Sequence, residues 1–348
     1  MNSKKQPPAR TAATPRQKAW IARLRPELHR FFPGEDRHLD LRAAGPPHLH
    51  TNSRIFPFTV LADGLPIADI LVKVPHGRKA TDVDAAFRAA QLLEGRFANE
   101  PHLNGPRVLG TWDDPQALIM ERAVGEPLFL RMKDCRNWAI ETGCQLAQHF
   151  VEQAGRWLAL LHETPAPSWS QAAPDPIEKM EKLLTKLHTI GVDPLEERGI
   201  REQISILGVA DSEEIVPLHG DYTLRNILCQ LPHDITVLDT ELVLRGNPAL
   251  DIGWFLAAMR FIDKWQLFAG EMAYTSAVVR QAEHTFLKGY QSVRPLPPPE
   301  VIRAYTGLRL LERWLEYVDH QQTRNIAGLR SLIIRRLNQH FVRAILRK

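Results

Sequence analysis

The chain has 348 residues, of which 44% are hydrophobic and 24% charged, and a net charge of +4. These figures exclude wholesale disorder and leave room for two structural units. No apolar run reaches the roughly 18 residues of a transmembrane helix, and so small a positive excess gives no argument for a specific nucleic-acid partner.

Three cysteines, Cys135, Cys144 and Cys229, form no Cys-x-x-Cys pair, which suits a reducing, cytoplasmic setting. The opening MNSKKQPPARTAATPRQK is basic, polar and holds three prolines. It lacks the apolar core of a signal peptide, so residues 1–15 are expected to be a disordered basic tail. Trp20, Ile21, Leu24, Leu28, Phe31 and Phe32 then recur at helical spacing, and Pro33-Gly34 ends that helix.

From about 38 to 120 the pattern is mostly strand. His38–Arg42 is a short one, and Ile55–Leu61, the Asp63-Gly64 turn and Ile67–Val74 read as a hairpin. Asp84–Phe97 is an amphipathic helix. Arg107–Thr111 and Ala117–Met120 are two strands joined by the turn Trp112-Asp113-Asp114-Pro115. After Glu121 the chain becomes helical, with Asn137–His162 ending in the apolar run GRWLALLH and a Pro-rich linker at Pro165–Pro176. Short strands near Val216–Leu218 and Ile235–Leu238 bracket a loop-rich segment. Residues 252–348 are helical again, broken at VRPLPPPE.

The bracketed segment, LHGDYTLRNILCQLPHDITVLDTELVLRGNPALDIGWFL, carries chemistry. Asp221 and Asn226 lie on one loop, Asp239 ends the next strand, and Glu241 follows two residues on, a set expected on a strand–loop–strand hairpin. Hard oxygen donors suit Mg²⁺ shared with substrate phosphates, and one carboxylate can instead take a proton from a hydroxyl. Lys73, inside the apolar strand ILVKV, either faces solvent or reaches for phosphate. His48 and His50 are read as loop residues, and His162 and His233 as helix-end or loop histidines. No zincin, nucleophile-elbow, dinucleotide-binding or Walker A motif occurs.

HGDYTLRN resembles the H-x-D-x-x-x-x-N loop of kinase-like enzymes. The Gly after His and the later D-x-E…G-N-P-x-x-D-I-G resemble the aminoglycoside phosphotransferase and choline kinase family; the D-F-G and A-P-E of protein kinases are absent. VKV, ALIMERAVGEPL, GRWLALLHE and HTFLKGY extend the resemblance over about 50–330. It implies an α+β, bilobal protein-kinase-like fold, with a small antiparallel-sheet lobe at 16–120, a hinge at 121–126 and a larger, mainly helical lobe at 127–348. It also implies an ATP-dependent transfer of phosphate to a hydroxyl of a small molecule or saccharide. Asp221 would be the base, Asn226 and Asp239 the Mg²⁺ ligands, and Lys73 the holder of the α/β-phosphates. Met120, Glu121 and Ala123 would line the adenine site, and His219 and Asp251 would brace the loop.

Two departures stand out. The expected phosphate-covering turn, HLHTNSRIF, is poor in glycine, which makes Thr51, Asn52 and Ser53 the candidates there. The helix acid expected to pair with Lys73 falls at Ala86, leaving Asp82, Asp84 or Glu94 as substitutes. A nucleotide-binding scaffold without activity therefore stays open beside the enzyme, and a protein kinase is the third reading. Residues 252–348 hold 15 Lys/Arg and 7 Asp/Glu, which favours a neutral or anionic acceptor over a polycation, unless Arg324, Arg330, Arg335, Arg336, Arg343 and Arg347 form a solvated helix face. Trp254, Phe255, Phe261, Trp265 and Phe268 are read as core, with Trp254 or Trp265 lining an acceptor pocket as the alternative. The oligomeric state stays open.

Overall fold

The computed structural model describes residues 13–50, 52–77, 82–132, 141–189, 194–210, 214–261 and 276–324, with the single positions 336, 340 and 343. Thr51, Cys135, Trp265, Phe268, Arg330, Arg335, Arg347, most of the expected tail and the first turn of the helix read from Asn137 lie outside the described residues. The chain divides into two compact units, Met1–Gly95 with Gly105–Ala123, and Arg96–Asn104 with Val124–Lys348.

The first unit is a twisted antiparallel sheet clad with helices. It begins with α1 (Pro15–Leu24), capped by Thr14, whose hydroxyl accepts from Gln17 N–H while the Gln17 side chain accepts from Thr14 N–H. This reciprocal cap satisfies two donors that a helix start otherwise leaves open. A short turn leads to α2 (Leu28–Phe31), followed by β1 (Leu39–Ala43), β2 (His48–Leu49), β3 (Ser53–Ala62), β4 (Leu65–Pro75) and α3 (Val83–Phe97). Past β5 (Leu103–Asn104), which belongs to the second unit, come β6 (Val108–Asp113) and β7 (Gln116–Glu121). The strand order is β1-β3-β4-β7-β6, with β2 on β3.

Alternation sorts the side chains onto two faces. Phe56, Phe58, Val60, Ile70, Val72, Ala117 and Ile119 bury against Trp20, Leu24, Leu28 and Phe31 from the leading helices. Burying each of those four is worth about 2 kcal/mol, which is why the first helix belongs to the body. The other face carries Leu118 and Met120, which pack with Val83, Ala86 and Phe87 of α3.

The second unit is mainly helical. Its order is β8 (Glu126–Pro127), α4 (Leu128–Arg131), α5 (Glu141–His162), β9 (Gln171–Ala172), α6 (Pro176–Thr189), α7 (Pro194–Ala210), β10 (Val216–Leu218), β11 (Ile227–Gln230), β12 (Asp234–Val237), β13 (Leu244–Gly246), α8 (Ala249–Arg260), α9 (Ser276–Gln291) and α10 (Pro299–Arg324). One expectation is corrected here. The strand at Val216–Leu218 does not pair with the one at Ile235 but with β13. The hairpin is instead β11 with β12, Ile227 opposite Val237. The ILCQ strand was missed because its four residues follow a turn directly and show no full period.

The crossing of α5 and α9 is closer at two points than any side chain allows. A methyl added at Gly155 of α5 would lie 2.1 Å from the Phe286 carbonyl oxygen, and one at Gly289 of α9 would lie 2.1 Å from that of Glu152. Replacing Gly289 with Ala therefore forces the helices apart, with an expected loss of about 2–3 kcal/mol. Urea unfolding followed by circular dichroism measures it; an unchanged midpoint would contradict the close crossing.

Candidate active site

The loop between β10 and β11 is held from beneath by buried groups. Tyr222 is fully buried, and its hydroxyl donates to the Ala154 carbonyl of α5 at 2.7 Å. Its ring stacks on Trp157 at 5.8 Å, and Trp157 stacks in turn on Phe97 at 5.1 Å. Such stacks add to the area burial of each ring. Burial pushes the Tyr222 hydroxyl well above its ordinary range, so it stays a protonated donor. With Tyr222 pinned, its neighbours Asp221 and Thr223 are placed without using their own side chains.

A second anchor comes from α8. The Asp251 carboxylate, fully buried, accepts from His219 N–H at 2.7 Å and from Gly220 N–H at 2.9 Å. The His219 ring bridges onward, Nε2 donating to the Leu238 carbonyl at 3.0 Å and Nδ1 accepting from Asp221 N–H at 3.3 Å. Leu238 N–H donates to the Asn226 carbonyl at 2.7 Å. That bond closes the open end of the β11–β12 hairpin and sets Asn226 beside the chain that leads into Asp239. Asn226 Nδ2 donates to the Asp221 carbonyl at 2.9 Å and to its carboxylate at 3.1 Å. Asp239 has φ of +56°, a left-handed conformation that Asp tolerates better than most residues and that fixed surroundings must sustain.

Behind the loop, Asp251 also meets His162, the last residue of α5. His162 Nε2 lies 3.2 Å from the carboxylate and Nδ1 lies 2.9 Å from the Tyr290 hydroxyl. Burial pushes the His162 pKa down, against the opposing pull of Asp251. The ring is neutral, Nε2 donating and Nδ1 accepting from tyrosine. An unfolded histidine titrates near pH 6.5, so below that pH the unfolded chain takes up a proton that the native chain refuses. Stability is thus full above about pH 6.5 and falls as the pH drops below it. His149, also lowered, chiefly by burial, acts in the same sense. Urea midpoints between pH 8 and 5 should fall, and less steeply in His162→Gln; identical slopes would contradict the assignment.

The loop forms one wall of a cavity of about 200 Å³ lying wholly in the second unit, where Asp221 and Asn226 face Phe129, Trp254, Arg309 and Arg313. Trp254, expected in the core, is only 7% exposed and also lines this cavity.

The remaining predicted residues lie in the first unit. Lys73, half-buried on β4, pairs in register with Ile55 of β3 and Leu118 of β7. Ser53, buried and opposite Pro75, and Met120, opposite Leu71, fall on that same face of the sheet. The β2–β3 turn is closed by His50 N–H donating to the Ser53 carbonyl at 2.8 Å. Glu121 N–H is taken by the Arg107 carbonyl, and its carboxylate pairs with Arg107 at 2.7 Å. Ala123 is the last residue of the unit. On α3, Ala86 packs with Leu118. Asp82 caps the helix, accepting from Ala85 N–H at 3.0 Å, while Asp84 and Glu94 are exposed.

Among the described residues no three His, Cys, Asp or Glu side chains form a metal cage. A model of the phosphotransferase enzyme family matches residues 58–296, which include Lys73 and the whole loop–hairpin segment. The chain belongs to the phosphotransferase enzyme family.

Solved structures agree in fold. A putative aminoglycoside phosphotransferase from Ralstonia eutropha is 14% identical with a TM-score of 0.63, over 93% of this chain and 96% of that one. A choline/ethanolamine kinase family protein from Mesorhizobium loti is 13% identical with a TM-score of 0.56, over 94% and 95%. A glucosamine kinase in complex with glucosamine, ADP and inorganic phosphate is 15% identical with a TM-score of 0.57, over 89% and 83%. No curated protein matches the chain in sequence. The α+β, protein-kinase-like fold implied by the motifs is thus the fold of this phosphotransferase, with its antiparallel sheet in the N-terminal unit. No helix among the described residues is long and apolar enough to cross a membrane.

Sequence reasoning missed Phe129, Arg309 and Arg313. The one available signal was the pair of arginines four residues apart in GLRLLERW, a spacing that puts both on one helix face.

Proposed function

We propose that the protein is an ATP-dependent kinase of small molecules or saccharides. The observation that carries this reading is the bonded cluster of Asp221, Asn226 and the Leu238-Asp239 chain beside a cavity of small-molecule size. Asp221 accepts the proton of the acceptor hydroxyl as that oxygen forms its bond to the γ-phosphorus. The bond from the γ-phosphorus to its bridging oxygen breaks, and ADP leaves with that oxygen. Lys73 holds the α/β-phosphates, Ser53 lies toward the phosphate end, and Met120, Glu121 and Ala123 meet adenine.

Asn226 Oδ1 and the Asp239 carboxylate fit Mg²⁺, being hard oxygen donors held at one end of a hairpin. Bound Mg²⁺ supplies charge neutralisation on the nucleotide phosphates. Two protein ligands are too few for a cage, so the ion is expected to bind together with nucleotide rather than alone.

The experiment is calorimetry of ATP with and without Mg²⁺, alongside acceptor phosphorylation across sugars, amino alcohols and aminoglycosides. Mg²⁺-dependent binding with transfer to one acceptor class supports the kinase. Ala86, in the position where kinase-like proteins carry an acid, favours one rival, a nucleotide-binding scaffold. That rival predicts binding with transfer to none.

A further inference from the structure

The cavity beside Asp221 has an unusual balance of charge. Three guanidinium groups, Arg225, Arg309 and Arg313, face one carboxylate, Asp221. Arg309 and Arg313 stand one turn apart on α10 and are each laid over an aromatic ring of the opposite wall. Arg309 lies 4.3 Å from the Trp254 ring centroid and Arg313 lies 5.1 Å from that of Phe261. The close packing of α8 on α10 that permits this runs through Gly253, where an added methyl would lie 2.8 Å from Thr306 N.

Each arginine is steadied by one bond from behind. Arg309 Nη1 donates to Glu312 at 3.2 Å and lies 3.9 Å from Glu316, and Arg313 Nη1 donates to Glu316 at 3.0 Å. Glu312 is shared with Lys179, 2.5 Å away, whose ammonium lies 5.0 Å from the Trp254 ring. Nε and Nη2 of both arginines have no hydrogen-bond acceptor among the described residues. Ring stacking and a single bond orient a guanidinium while leaving its fork of donors open, the arrangement that recognises carboxylate or phosphate. A cationic acceptor would meet three like charges here.

Resting on the kinase reading, we infer that the acceptor already carries an anionic group, carboxylate or phosphate, which Arg309 and Arg313 bind while its hydroxyl meets Asp221. A cavity of about 200 Å³ suits a small hydroxy acid or sugar phosphate. The arginines also offset the repulsion between such an acceptor and the phosphates of ATP.

The test uses matched probes on the full chain at about 0.15 M salt: glycerol, glycerate and glycerol 3-phosphate; glucose, glucuronate and glucose 6-phosphate; and glucosamine as the cation. Binding by calorimetry is read in the wild type, Arg309→Gln and the more exposed Arg313→Gln, each first checked for an unchanged melting temperature. The expected result is binding of an anionic member at least about tenfold tighter than its neutral partner, with the preference lost in both variants. Equal or absent binding within every set, preference for glucosamine, or a preference that survives both substitutions would overturn the inference. Phosphoryl transfer from ATP is scored separately. Transfer to a neutral or cationic acceptor keeps the kinase and removes the anion site, whereas arginine-dependent anion binding without transfer keeps the anion site and removes the kinase.

Discussion

Asp221→Asn is expected to lower kcat by about 10²–10⁴-fold while leaving the fold and the affinity for ATP in place. The substitution is nearly isosteric and removes only the capacity to take a proton. The loop does not depend on this side chain for its shape, because Tyr222 and the Asp251 contacts to His219 and Gly220 hold it from the buried side. Asp221 is exposed, and its carboxylate is bonded through Asn226 Nδ2, a contact the new amide oxygen can still accept. A thousandfold loss corresponds to about 4 kcal/mol of transition-state stabilisation. Steady-state kinetics with the best acceptor and calorimetry with ATP check both halves. A kcat within about fivefold of the wild type would remove Asp221 as the base, since general-base catalysis is worth far more.

The sheet of the first unit was legible because its strands are long and alternate, and the leading helix because Trp20, Leu24, Leu28 and Phe31 repeat at helical spacing. β2, β8 and β9 have two residues each, too short for any period to show. The partner of the strand at Ile235 was misread for the same reason. Asp221, Asn226 and the chain entering Asp239 were legible as neighbours because one loop and one hairpin span only 19 residues. Arg309 and Arg313 arrive from a helix that begins 60 residues after Asp239. Only the packing of α10 on α8 reveals that they face the loop, and local spacing carries no trace of such a contact. His162 likewise read as an ordinary helix end, and its role depends on Tyr290, 128 residues away.

One helix serves both halves of the site. Asp251, Trp254 and Ala258 follow at i, i+3 and i+7 on α8, so the stripe that anchors the loop continues as the wall of the cavity. A shift of α8 would therefore move Asp221 and the cavity wall together, which keeps their spacing constant.

Asp251→Asn tests that shared support. The wild-type carboxylate accepts from three donors: two backbone N–H groups and, in the neutral tautomer, His162 Nε2. An amide keeps one oxygen and turns an NH₂ toward at least one of those donors, leaving an N–H without a partner in a fully buried place. The expected cost is about 3 kcal/mol, read as a lower urea midpoint. The backbone of His219 and Gly220 is then free to shift, and a displacement of the adjoining Asp221 on the order of 1 Å costs about 10²-fold in kcat. The two losses have different signatures. At low temperature and without denaturant the variant is folded, so reduced stability alone would leave kcat unchanged, whereas displacement of the base lowers kcat with little change in ATP affinity. His162→Gln, which keeps a donor for Asp251, should lose less of both. A variant as stable and as active as the wild type would show that the buried carboxylate does not position the loop.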